Sequence, residues 1–143
     1  MTSGKMKDGL RQNACIPMIS PYGTAAEISP SLLDITGDDA IIDWVRVELR
    51  DNHNPSILIA AQDALLQGDG DVVATDGISP LRFTGIASNG YFVVLRHRNH
   101  LSVMSSNAVL LSKTLGDTID FTQGAAYGIV PMHSFSNLSL IHI

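Results

Sequence analysis

The sequence predicts an all-β fold: an antiparallel two-sheet β-sandwich of about seven to eight short strands. Three observations carry that prediction. Apolar and polar residues alternate with period two across 40–50 and again across 91–98, the mark of strands with one face on a core. Turn-forming clusters, Gly37-Asp38-Asp39, Gly68-Asp69-Gly70-Asp71 and Asn89-Gly90, cut the chain into pieces of strand length. No segment pairs a capping residue with the 3.6-residue periodicity of a helix.

Residues 1–26 read as an irregular lead-in rich in Gly, Ser, Pro, Lys and Asn. They hold one apolar patch, Ile16-Pro17-Met18-Ile19, and a Ser-Pro-Tyr-Gly turn at 20–23. Pro17 and Pro21 exclude a helix there, since each removes a donor and fixes φ. The patch is expected to lie extended along the domain edge. The sandwich domain is assigned to 27–122. Ser31–Thr36 reads as a short strand. Ala40–Arg50 is the clearest early strand. Its alternation places Ile41, Val45, Val47 and Leu49 on one face, and Ile42, Trp44, Arg46, Glu48 and Arg50 on the other. Residues 51–55 form a loop by composition.

Ile57–Gln67 admits two readings. Ala60, Ala61, Ala64, Leu65 and Leu66 suit a helix, whereas Ile57-Leu58-Ile59 suits a strand. The turn that follows, with Val72-Val73-Ala74 beyond it, favours strand–turn–strand. Leu81–Thr84 alternates as a further strand. Tyr91–Met104 begins as an apolar strand and passes into the densest polar run of the chain, Arg96-His97-Arg98-Asn99-His100. Tyr91, Val93, Leu95 and His97 share its core face. Ala108–Leu111 and Thr118–Phe121 are two last strands around the turn Leu115-Gly116-Asp117. Residues 123–143 read as an irregular tail. Within it, Leu138-Ser139-Leu140-Ile141-His142-Ile143 reads like a translation of the transposon mosaic end used in DNA library preparation. That reading expects an unpacked tail and a natural protein continuing beyond Ser136.

The bulk numbers exclude several functions. A chain of 143 residues fits one domain with a modest core. A net charge of -5, with 16% charged residues, argues against a nucleic-acid binder, which needs a basic field to displace counterions. No apolar stretch approaches the roughly 20 residues that span a bilayer, so no membrane insertion is expected. Lys5, Lys7 and Arg11 precede no apolar run, so no signal peptide is read in this stretch. The single cysteine, Cys15, forms no internal disulfide and excludes Cys-rich zinc sites.

Several segments together carry a family resemblance. They are Asp43-Trp44-Val45-Arg46-Val47-Glu48-Leu49-Arg50-Asp51, Ala64-Leu65-Leu66-Gln67 with Asp69-Gly70-Asp71-Val72-Val73, Ser79-Pro80-Leu81 with Phe83, and Tyr91 with Arg96-His97-Arg98-Asn99-His100-Leu101 and Val103-Met104. Ile16-Pro17, Pro21-Tyr22-Gly23, Asp120-Phe121 and Tyr127-Gly128 fit the same pattern. Over roughly residues 10–135 the chain resembles a β-rich module that recurs near the C-terminal end of large secreted or cell-surface proteins of Bacteroidetes-type bacteria. The resemblance implies a secreted or cell-surface location and a structural or interaction role without catalysis. More loosely, Gly90-Tyr91-Phe92-Val93 looks like the strand opening of prealbumin-like or Cna-B-type sandwiches, which bears on fold and not on function.

The candidate ligand surface is Arg96, Arg98, Asn99 and His100, with Trp44 as an aromatic contact. Two guanidiniums and neighbouring imidazoles suit a carboxylate, phosphate or sugar. The competing reading is structural: alternation points Arg96 and Arg98 away from His97, and either arginine can pair with Asp43, Glu48 or Asp51. Trp44, Tyr91 and Phe92 offer a sugar platform if exposed. If Trp44 faces outward on its sheet, the 10–30 lead-in is the segment to cover it. His97 and His100, with His53 and His133 brought near by folding, are the metal candidates, but their spacing within a strand suits no zinc site. Asp69, Asp71 and Asp76 lack the closing Glu of a calcium loop. The sequence holds no nucleophile elbow, no glycosidase carboxylate pair and no glycine-rich loop entering a helix. The expectation is therefore no catalytic residue, no metal and no cofactor. The expected protein is a structural or adhesive module whose partners are neighbouring domains, a glycan or another surface protein. The alternative is a carbohydrate-binding module attached to a secreted hydrolase.

Overall fold

A computed structural model of the chain describes residues 6–112 and 118–121, together with the backbone of 140–142. The turn at 115–117, Tyr127-Gly128, His133 and residues 123–139 of the tail lie outside the described residues. The fold is all-β. Eight strands are described: β1 Ile41–Asp51, β2 Leu58–Gln67, β3 Asp71–Val73, β4 Asn89–His97, β5 His100–Met104, β6 Val109–Leu111, β7 Thr118–Asp120 and β8 Leu140–His142. They join one sheet in the order β5-β4-β1-β2-β3-β8-β7, with β6 also on β4. The expected division into two sheets is not found among the described residues. Each pairing is antiparallel except β3 with β8, which is parallel. The backbone of 140–142 is thus paired on both sides, in a tail expected to be unpacked.

β1 lies between β2 and β4 and organises the sheet. Val45, Val47 and Leu49 on one face join Ala64 and Leu66 of β2, Tyr91, Val93 and Leu95 of β4, Leu111 of β6 and Ile119 of β7 in the main core. Leu81 is fully buried in that core, with Phe83 and Ile86 packed against it. The 81–84 alternation is therefore real, but the segment crosses the face as an extended cover and pairs with no strand. Alternation reports extended backbone with one side buried, and ladder pairing is a separate condition.

The opposite face of β1 carries a second core of Trp44, Leu65, Val73, Ile16, Ile28 and Ile41. Ile41 belongs here because the β1–β2 register shifts between Ile41 and Asp43. One extra residue flips a side chain to the other face, which corrects the assignment of Ile41 beside Val45. The lead-in covers this core in ordered form. A single helical turn, Gly9–Gln12, is followed by a narrow hairpin in which Ser20 N–H donates to Ala26 O and Ile28 N–H to Met18 O. The expected strand at 31–36 is a 3-10 turn, Pro30–Asp34. Pro30 supplies the fixed φ favoured at its first position, and the adjacent Leu32 and Leu33 both pack on the Trp44 core, which an alternating strand forbids.

The 91–104 run is not one strand. It folds back at Arg98-Asn99 into the β4–β5 hairpin, with His97 opposite His100. β5 and β6 then lie along the same side of β4. Between them the Ser105 hydroxyl accepts from Val93 N–H at 3.0 Å, replacing a ladder carbonyl.

Candidate functional site

The polar run meets β1 beside Trp44, at the end where the β1–β4 ladder stops. That ladder ends at the pair Arg46 and Arg96. Past it, side chains replace the backbone bonds. Arg98 forks onto Asp43, with Nε to Oδ2 at 3.0 Å and Nη2 to Oδ1 at 2.8 Å. His97 Nε2 lies 3.2 Å from Asp43 Oδ2, while its Nδ1 accepts the Asn99 N–H at 3.1 Å. In this arrangement Nδ1 is the acceptor and Nε2 the donor of the ring. Asp43 is fully buried. Burial alone would raise its pKa, but the bonds from His97, Arg98 and the Trp44 N–H outweigh that and hold it below the ordinary carboxylate value. The Tyr22 hydroxyl stands over the same gap, 3.3 Å from Trp44 O and 3.2 Å from Arg96 O, with one proton to share between them. Burial raises its pKa, so it remains a donor.

Further along β1 the face turns from apolar to ionic. Arg46 stands opposite Asp63 of β2 on one side and Arg96 of β4 on the other. Like charges directly opposite repel. Glu48, two residues on, resolves the repulsion. Its Oε1 takes Arg96 Nε at 2.7 Å and lies 3.7 Å from Arg46 Nε, and its Oε2 takes Arg50 Nε at 3.0 Å. Asp63 Oδ1 accepts from Arg46 Nη1 at 3.2 Å, and its Oδ2 accepts the hydroxyls of Ser20 and Thr24 from the lead-in hairpin. The side chains of Glu48 and Asp63 are 6% and 1% exposed, and those of Arg46, Arg50 and Arg96 are 23%, 17% and 44% exposed. Buried anions thus sit under a partly solvated cationic rim. Burial opposes ionisation of Glu48, yet Arg50 and Arg96 hold its carboxyl below the ordinary value.

Of the sequence candidates, Arg96 and Arg98 are each bonded to a carboxylate of β1 inside the domain, Glu48 and Asp43 respectively. Asn99 and His100 sit at the exposed hairpin tip, where the rings of His97 and His100 lie 4.7 Å apart. Trp44 and Tyr91 are buried. Trp44 Nε1 donates to Pro17 O at 2.7 Å, so the lead-in both covers and bonds it. Asp69 and Asp76 accept backbone N–H groups of their own turns, and no group of three or more His, Cys, Asp or Glu among the described residues is placed to hold a metal. No described helix is long and apolar enough to cross a membrane.

Asp63 and Tyr22 were not among the sequence candidates. Asp63 carried a faint signal, as the lone charge in a mostly apolar strand, 58–67. Tyr22 carried none. Comparison with protein-family models, with curated proteins and with solved structures finds no match.

Proposed function

We propose that this chain is a non-catalytic structural or adhesive module of a larger secreted or cell-surface bacterial protein. The observation that supports this reading is the internal pairing of the polar run. Arg98 and His97 close on Asp43, Arg96 closes on Glu48, and the rings of Trp44 and Tyr91 are buried. Groups engaged in this way hold strands and lid together, and a general base or nucleophile would instead need a reactive atom turned toward substrate. The module's work is then mechanical or adhesive: to stay folded and present a surface. Its placement outside the cell follows from the family resemblance.

The test is a turnover panel of glycoside, ester and peptide substrates on the purified chain. The expected result is no turnover. Turnover that disappears with Glu48→Gln, in protein still folded by circular dichroism, would overturn the reading.

A further inference from the structure

We infer that the Arg46–Arg50–Arg96 rim holds a carboxylate-bearing glycan, of the uronic-acid class, on the open part of the second face of β1. The inference rests on the adhesive reading above and names what such a module would hold. Three guanidiniums share two carboxylates here, Glu48 and Asp63, which leaves one positive charge uncompensated in the cluster. The neighbouring Asp43–Arg98 pair is balanced and contributes nothing to that surplus. Arg96 is the most exposed of the three. Its Nε is committed to Glu48, its Nη1 reaches the Ser102 hydroxyl at 3.4 Å, and the side chain is 44% exposed. A planar guanidinium with free outer donors takes a carboxylate as a fork.

The fold also selects the class of partner. β1 is bonded on both sides, by β2 and β4, and β4 is bonded on both sides, by β1 and by β5 with β6. The rim stands on β1 and β4, inside the sheet, whereas an added peptide strand needs an edge and would pair along β5 instead. A ligand read by side chains alone fits it. The half-buried Phe92, along the same face of β4, gives an apolar neighbour for a sugar ring. The chain as a whole carries -5, so its long-range field repels polyanions. Any acidic glycan that binds must therefore do so through a local cationic site.

The experiment is affinity electrophoresis of the full chain through gels containing polygalacturonate, its methyl ester, or poly-glutamate. Retardation by polygalacturonate alone is expected. Arg96→Gln should weaken it about tenfold, the loss of one charge-assisted hydrogen-bonding group. Arg82→Gln makes the same charge change at an exposed site elsewhere and should leave it unchanged. Thermal unfolding confirms that both variants fold. Equal retardation by the methyl ester, equal loss in both variants, or absence of retardation would each overturn the inference while leaving the non-catalytic reading intact. Equal retardation by poly-glutamate would assign the rim to an acidic peptide instead. Release of reducing ends from the polymer would instead overturn the non-catalytic reading itself.

Discussion

The two faces of β1 are covered by opposite chemistry, one wholly and the other in part. On one, Val45, Val47 and Leu49 enter a core shared with five other strands. On the other, Trp44 enters a smaller core under the lead-in, and two residues later Arg46, Glu48 and Arg50 sit in an ionic lattice with Asp63 and Arg96. The apolar face needs only a neighbour of matching volume. The ionic face needs specific partners from β2, β4 and the lead-in, since a buried carboxylate without them costs several kcal/mol. The first face tolerates shape-conserving change. The second fixes register and holds the lid, because Asp63 bonds Arg46 with one oxygen and Ser20 and Thr24 with the other.

Trp44→Ala is the largest expected break. It empties the second core and removes the bond to Pro17, at a cost of about 4 kcal/mol in chemical unfolding. Loosening of the lead-in should show as faster amide exchange at Ser20 and Ile28, and unchanged exchange there would refute the lid assignment. On the opposite face, Leu49→Ala should cost about 3 kcal/mol and leave those two amides protected relative to global unfolding. If the lead-in exchanged faster in both variants, the faces would not be separable.

Asp43→Asn should cost about 3 kcal/mol at neutral pH, because Arg98 loses its charge partner and His97 an acceptor for its Nε2–H. The cost should shrink in acid. The folded carboxyls of Asp43 and Glu48 lie below the unfolded value of about 4. Their stabilisation is therefore complete above that value and is lost as pH falls through the folded ones. The double variant Asp43→Asn with Glu48→Gln should flatten the acid limb of a stability–pH profile. An unchanged limb would place acid sensitivity elsewhere. Arg96→Gln is the smallest effect, below about 1 kcal/mol, since its side chain is 44% exposed and Glu48 keeps Arg50. A larger loss would make the rim structural and weaken its assignment as a binding site.

Much of this contrast was legible in the residues. The alternation of 44–50 and 91–96 assigned the side chains of β1 and β4 to their faces, and the pairing of Arg96 and Arg98 with Glu48 and Asp43 stood among the partners weighed from sequence. The alternation also separated His97 from Arg98, which instead meet on Asp43 because the register shifts between Leu95 and His97. The turn within 91–104 was not legible, because Arg98-Asn99 carries no glycine or proline and strand pattern runs up to it from both sides. Nor was the 3-10 turn at 30–34, where two adjacent leucines mimic a strand until the Trp44 core is present to bury both.

By itself the sequence determined the class of fold and the face of most strand residues, because period-two alternation is a local property of extended backbone. The tertiary structure decided the rest: that the described strands form one sheet, that the lead-in is the lid over Trp44, and that the ladder of β1 and β4 ends where Asp43 begins. Those depend on contacts between residues far apart in the chain, such as Tyr22 with Arg96 and Ser20 with Asp63, and no local pattern encodes which distant partner a charge will meet.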